Sequence, residues 1–76
     1  MSPDAFCTTI QEELAFETSD DSWVRGARGL CELYGRADAQ RFEIILVQVA
    51  AGRPNSALAD GARWLLPRWQ VASRHT

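Results

Sequence analysis

Apolar residues recur along this chain in four amphipathic stretches separated by short polar breaks. The densest is Phe42-Glu43-Ile44-Ile45-Leu46-Val47-Gln48-Val49-Ala50, interrupted only by Glu43 and Gln48. Wound at about 100° per residue, Phe42, Ile45, Leu46 and Val49 fall on one side, the i, i+3, i+4, i+7 spacing of a buried stripe. Ile44, Val47 and Ala51 fall opposite, with Arg41 and Gln48 on one flank and Glu43 on the other. A helix apolar on two sides is expected to be buried on two sides. A strand competes for the run, because β-branched and aromatic residues dominate it. The edges favour a helix over 39–51: Asp38 can cap its start, and Gly52 and Pro54 follow its end.

The first stretch opens with Ser2-Pro3-Asp4, a capping Ser, Pro at the first helical position and an acid in the first turn. Phe6, Cys7, Ile10 and Leu14 share a face, and Glu17 would spoil it, which predicts a helix over 3–15. Asp21 or Ser22 can cap a second helix over 22–34. Trp23, Val24, Ala27, Leu30, Cys31 and Tyr34 line its apolar face, opposite Arg25, Arg28 and Glu32. Gly26 and Gly29 lie together beside that face, each costing ~1 kcal/mol of helix propensity relative to Ala. Their pairing suggests a close helix approach, with a broken helix as the alternative; Gly35 serves as the C-cap.

Gly52-Arg53-Pro54-Asn55 reads as a turn, after which Asn55 or Ser56 caps a fourth helix over 56–66. Leu58, Ala62, Leu65, Leu66 and later Trp69 share its stripe. Pro67 removes a donor and crowds the carbonyl of Arg63, so a break or kink is expected there. A short last turn through Val71 and a frayed 73–76 should follow. Four short helices with short connections describe an all-α compact bundle, one domain over 1–76.

Composition sharpens this in a few places. The 76 residues are 46% hydrophobic and 24% charged, a globular balance. A domain this small buries only about 60% of its unfolded surface and gains by association, which favours a homodimer through Ile44, Val47 and Ala51. No apolar run nears the ~20 residues of a membrane span, and the N-terminus lacks a basic region followed by an apolar one, so a cytoplasmic protein is expected. All eight basic residues are Arg and eleven residues are Ala, the bias of a GC-rich bacterial or phage genome. The lack of Lys excludes Schiff-base and P-loop lysine chemistry. Cys7 and Cys31 both fall on apolar faces and read as buried thiols of a reducing compartment. Net charge is −2, yet residues 1–38 hold eight acids against three Arg, and residues 39–76 two against five. The two halves either neutralise each other or offer faces of opposite sign to partners.

No cofactor, metal or catalytic group is expected. Cys7, Cys31 and His75 are the soft donors, none at CxxC or HxxxH spacing, and His75 is the penultimate residue. Glu12-Glu13 and Asp20-Asp21 read as solvated charges rather than an acid–base pair. Recognition is what remains. Trp64 lies about 120° from the fourth helix's stripe and should project, with Arg68 one turn on over its ring; a bent helix returning Trp64 to the core is the alternative. An exposed Trp beside an Arg has the composition of an interface hot spot. Glu12, Glu13, Glu17, Asp20 and Asp21 form an acidic edge suited to a basic protein surface.

The expected function is a non-catalytic protein-binding regulator, adaptor or inhibitor. The alternative is a nucleic-acid-binding transcriptional regulator, since Arg63, Trp64, Arg68, Trp69 and Arg74 interleave cations with aromatics. A pI near 5.2 and the lack of a basic stripe count against it. The partner's identity is not written in the sequence.

Overall fold

The computed structural model describes residues 1–17, 21–52 and 56–74. They form four helices, α1 (Pro3–Leu14), α2 (Ser22–Tyr34), α3 (Ala39–Ala50) and α4 (Ala57–Arg74), with no strand among the described residues. The radius of gyration, 11.3 Å, is that of a well-packed chain of this length, about 11 Å. The all-α bundle expected from the hydrophobic pattern is the observed fold.

Local chemistry sets the helix starts. The Ser2 hydroxyl accepts the Ala5 N–H at 3.2 Å, and the Asp38 carboxylate accepts that of Arg41 at 2.8 Å. Ser56 accepts from Ala59 at 3.4 Å and so begins α4; the predicted turn residues 53–55 lie outside the described residues. Asp21 holds the N-cap of α2 through its backbone carbonyl, which accepts from Val24 at 3.1 Å. Ser22 instead donates to Asp60 at 2.6 Å, tying the start of α2 to α4.

Three rings organise the core. Phe6 of α1, Phe42 of α3 and Trp69 of α4 meet edge to face, with centroids 5.0 to 6.1 Å apart. Ile10, Leu14, Val24, Leu30, Leu46 and Leu65 are buried around them. Trp69 explains a departure from expectation: α4 does not end at residue 66 but continues past Pro67 to Arg74. Pro67 stands on the exposed side, so the hydrogen bond it forfeits is on the solvent face, where water can serve the Arg63 carbonyl. Continuing the helix seats Trp69, only 1% exposed, in the core. The predicted fraying at 73–76 likewise fails for Ser73 and Arg74, which are helical; residues 75–76 are outside the described residues.

α2 runs unbroken through its glycines and packs most closely on α4. A Cβ on Gly26 would strike the Ala57 carbonyl. One on Gly61 would strike the backbone of Ala27 and stand 2.8 Å from the Gly26 Cα. The close approach predicted for Gly26 is real, but its mate is Gly61 rather than Gly29. At Gly29 an added Cβ would only touch Leu58 Cδ2 at 3.6 Å.

Within the single chain α3 is sheltered on one side only, and the side expected to form a homodimer interface is open. Phe42 and Leu46 are fully buried, whereas Ile44 and Val47 are 49% and 48% exposed and Ala51 is exposed. α3 sits at the edge of the bundle: α4 covers one flank, Phe6 meets Phe42, and among the described residues no helix covers the opposite side.

Candidate interaction surface

The Trp64 site is built at the crossing of α2 and α4. Trp64 stacks on Trp23 with ring centroids 4.9 Å apart and planes tilted by 32°. The Arg68 guanidinium lies 3.8 Å above the Trp64 ring, and its Nη1 donates to the Trp64 carbonyl at 3.0 Å. Trp64 is therefore held between an aromatic and a cation, and it is half-buried rather than projecting. Trp23 causes this: placed on the core face by the helical pattern, it sits half-buried at the rim and meets Trp64 there. Arg68 remains exposed, and its tether to its own helix reduces the rotamer freedom a contact would cost.

Arg63 has a different task from the one its sequence context suggests. Its Nε donates to the Ala50 carbonyl at 2.9 Å and its Nη2 to that of Gly52 at 3.0 Å, while Nη1 pairs with Asp60 at 3.4 Å. The guanidinium thus serves orphan carbonyls at the end of α3, which has no basic residue in its last turn. Arg28 reinforces the end of α1, donating at 2.8 Å to the Leu14 carbonyl, which also accepts the Glu17 N–H. Its charge also opposes the negative helix end beside Glu12 and Glu13. Neither role was visible in the hydrophobic pattern; the available signal was two helix ends without a local cation. Arg74, also a candidate phosphate contact, is the exposed last residue of α4.

The acidic edge is only partly assembled. Glu12, Glu13, Glu17 and Asp21 are exposed on α1 and its connection to α2, and Asp20 is outside the described residues.

The outer face of α3 leaves two large apolar side chains open on one element. Ile44 and Val47 stand side by side, with Gln40, Gln48 and Ala51 around them. A shallow depression of about 390 Å³, lined by Glu43, Ile44, Val47, Gln48 and Gln70, lies where this face meets α4. A second, lined by Asp38, Gln40, Arg41, Ile44, Ile45 and Gln48, opens on the other flank of Ile44. The flanking charges, Arg41 and Glu43, are of opposite sign.

The two thiols sit elsewhere. Cys7 of α1 and Cys31 of α2 are buried, unbridged and hydrogen-bonded to each other. That hydrogen bond holds Cys7 below the ordinary thiol range, against the opposing effects of burial and of Asp4. The same bond, then burial and the neighbouring charges, pushes Cys31 far up. Among the described residues no three His, Cys, Asp or Glu side chains converge as a metal site, and no helix is long and apolar enough to cross a membrane.

The chain matches no family model, and no curated protein or solved structure matches it.

Proposed function

We propose that this protein acts by binding: a non-catalytic regulator, adaptor or inhibitor, of bacterial or phage origin, that docks on another protein chain. The observation that carries the reading is the Ile44–Val47 face. It places two β-branched side chains, each about half exposed, on a helix whose opposite side buries Phe42 and Leu46 in the core. Isolated apolar residues on a surface need no explanation, but an apolar row along one helix is the form of an interface core. The Gln side chains around it, with Glu43 and Arg41 on the flanks, suit the polar rim of such a contact. The Trp23–Trp64–Arg68 stack and the acidic edge of Glu12, Glu13 and Glu17 are secondary contact surfaces. A second copy of the chain is the first occupant to test, because a two-fold axis through α3 would bury Ile44 and Val47 of both copies.

The test is light scattering across a concentration series, for the parent chain and for Val47→Glu. The reading expects association by the parent and none by a folded variant. For a parent that stays monomeric, affinity capture from the native host follows, comparing parent with variant. A protein retained by the parent and lost with Val47→Glu supports docking on a foreign chain. Indifference of both assays to the substitution removes α3 as the docking face.

A further inference from the structure

Gln40, Ile44, Val47 and the C-cap residue Ala51 are all exposed and follow one another at the four-three-four spacing of a two-helix seam. Arg41 borders this row on one flank and Glu43 on the other, about 3 Å apart along the helix axis. Neither side chain has an ion-pair partner among the described residues. A cation and an anion thus stand unpaired at nearly the same level, on opposite sides of an open apolar row. Such flanking positions are the ones that set partner and orientation when two helices pair. The two flanks also differ in shape. Gln70 of α4 lines the depression beside Glu43, whereas α3 and its cap Asp38 alone line the one beside Arg41.

We propose, resting on the reading of α3 as the docking face, that its occupant is α3 of a second copy, packed parallel and in register. A two-fold axis running along the helices exchanges their flanks. Arg41 of each copy then stands beside Glu43 of the other, which makes two equivalent ion pairs across the seam. Ile44 meets Ile44, Val47 meets Val47, and the two Gln40 amides bond to each other. The α4 side of each copy faces the side of the other that α4 leaves open. A two-fold axis running across the helices does the reverse, keeping like flanks together. Both α4 helices would then crowd one side, Gln40 would face Ala51, and Arg41 and Glu43 would lie on opposite sides of the seam. Charge, polarity and room all select the parallel form.

The experiment is sedimentation equilibrium of the full chain at low salt, carried to about 1 mM because a single 12-residue helix makes a small interface. Arg41→Glu and Glu43→Arg are run separately and as an equimolar mixture, beside the parent and the double exchange, with thermal melts showing that each is folded. Each single variant should dimerise at least ~10-fold more weakly than the parent, since like charges then face each other twice. The mixture should regain the parent's affinity, because one copy brings two acids to the seam and the other two Arg. The double exchange should regain it within one chain. A parent that stays monomeric throughout overturns the proposal and leaves a foreign chain as the occupant of α3. Dimers indifferent to both exchanges, or a mixture no stronger than its components, overturn the parallel pairing. Loss of those same dimers with Val47→Glu would still uphold α3 as the docking face.

Discussion

Gly26 of α2 and Gly61 of α4 meet backbone to backbone, with no room for a Cβ on either. The atoms a methyl group would strike are carbonyl, amide and Cα atoms of the opposite helix, which cannot rotate away as a side chain can. A substitution there must separate the two helices.

Gly61→Ala should therefore destabilise by about 3 kcal/mol, the upper range of overpacking costs, even after the ~1 kcal/mol gained in helix propensity. Gly29→Ala, on the same helix pair but facing only Leu58 Cδ2, should be neutral or stabilising by up to ~1 kcal/mol. Urea midpoints of the two variants decide it. Similar midpoints would mean that the helices do not touch as described.

Replacing Pro67 probes the continuity of α4. Pro costs ~3 kcal/mol relative to Ala inside a helix, and part of this is offset by its restriction of the unfolded chain. Pro67→Ala should stabilise by roughly 1–2 kcal/mol, since the restored N–H can reach the Arg63 carbonyl. A destabilised variant would instead mark a helix break at this point.

The fork of Arg63 should matter more than its charge. Its side chain is 41% exposed, so the ion pair with Asp60 contributes little and the loss falls on the carbonyl bonds to Ala50 and Gly52. Arg63→Gln is expected to cost about 1 kcal/mol. Arg63→Lys should cost nearly as much, because one ammonium cannot reproduce a planar fork. Amide exchange at residues 50–52 should accelerate in both.

The thiol pair should titrate one proton at a time. Thiolate absorbance of the folded chain should reveal a single ionisation below the ordinary thiol range of about 8.5, and no second one until the chain unfolds. The sign for stability follows from each direction. Cys31, raised in the fold, contributes stability that is complete below the unfolded thiol value and is lost as pH rises beyond it. Cys7, lowered, contributes above that value and loses its contribution as pH falls through its folded one. Cys31→Ala should therefore flatten the alkaline decline in Tm, which Cys7→Ala should not.

Much of the fold was legible because each helix declares its inward face and its start. The pattern Phe6, Cys7, Ile10, Leu14 and the caps Ser2 and Asp38 give α1 and α3 almost to the residue. Pro67 misled because a local propensity says nothing of Trp69 two residues on, whose burial in the core favours helix across the proline. Gly61 was missed because a lone glycine in an amphipathic run gives no hint of what lies opposite. Trp64 was placed on the correct side of α4, yet its exposure depended on Trp23, a residue of another helix. The second side of α3 was legible as apolar, but whether the chain would cover it depended on how four helices stack.

Arg28 and Arg63 also bear on how the chain reaches its structure. Beyond their own local turns, the ends of α1 and α3 receive side-chain donors from α2 and α4, so part of each termination arrives from another helix. At 12 residues each, both lie near the length at which a lone helix is marginal in water. Peptides spanning either segment should be largely unstructured alone, and order should arise in all the helices together, as a single concerted transition.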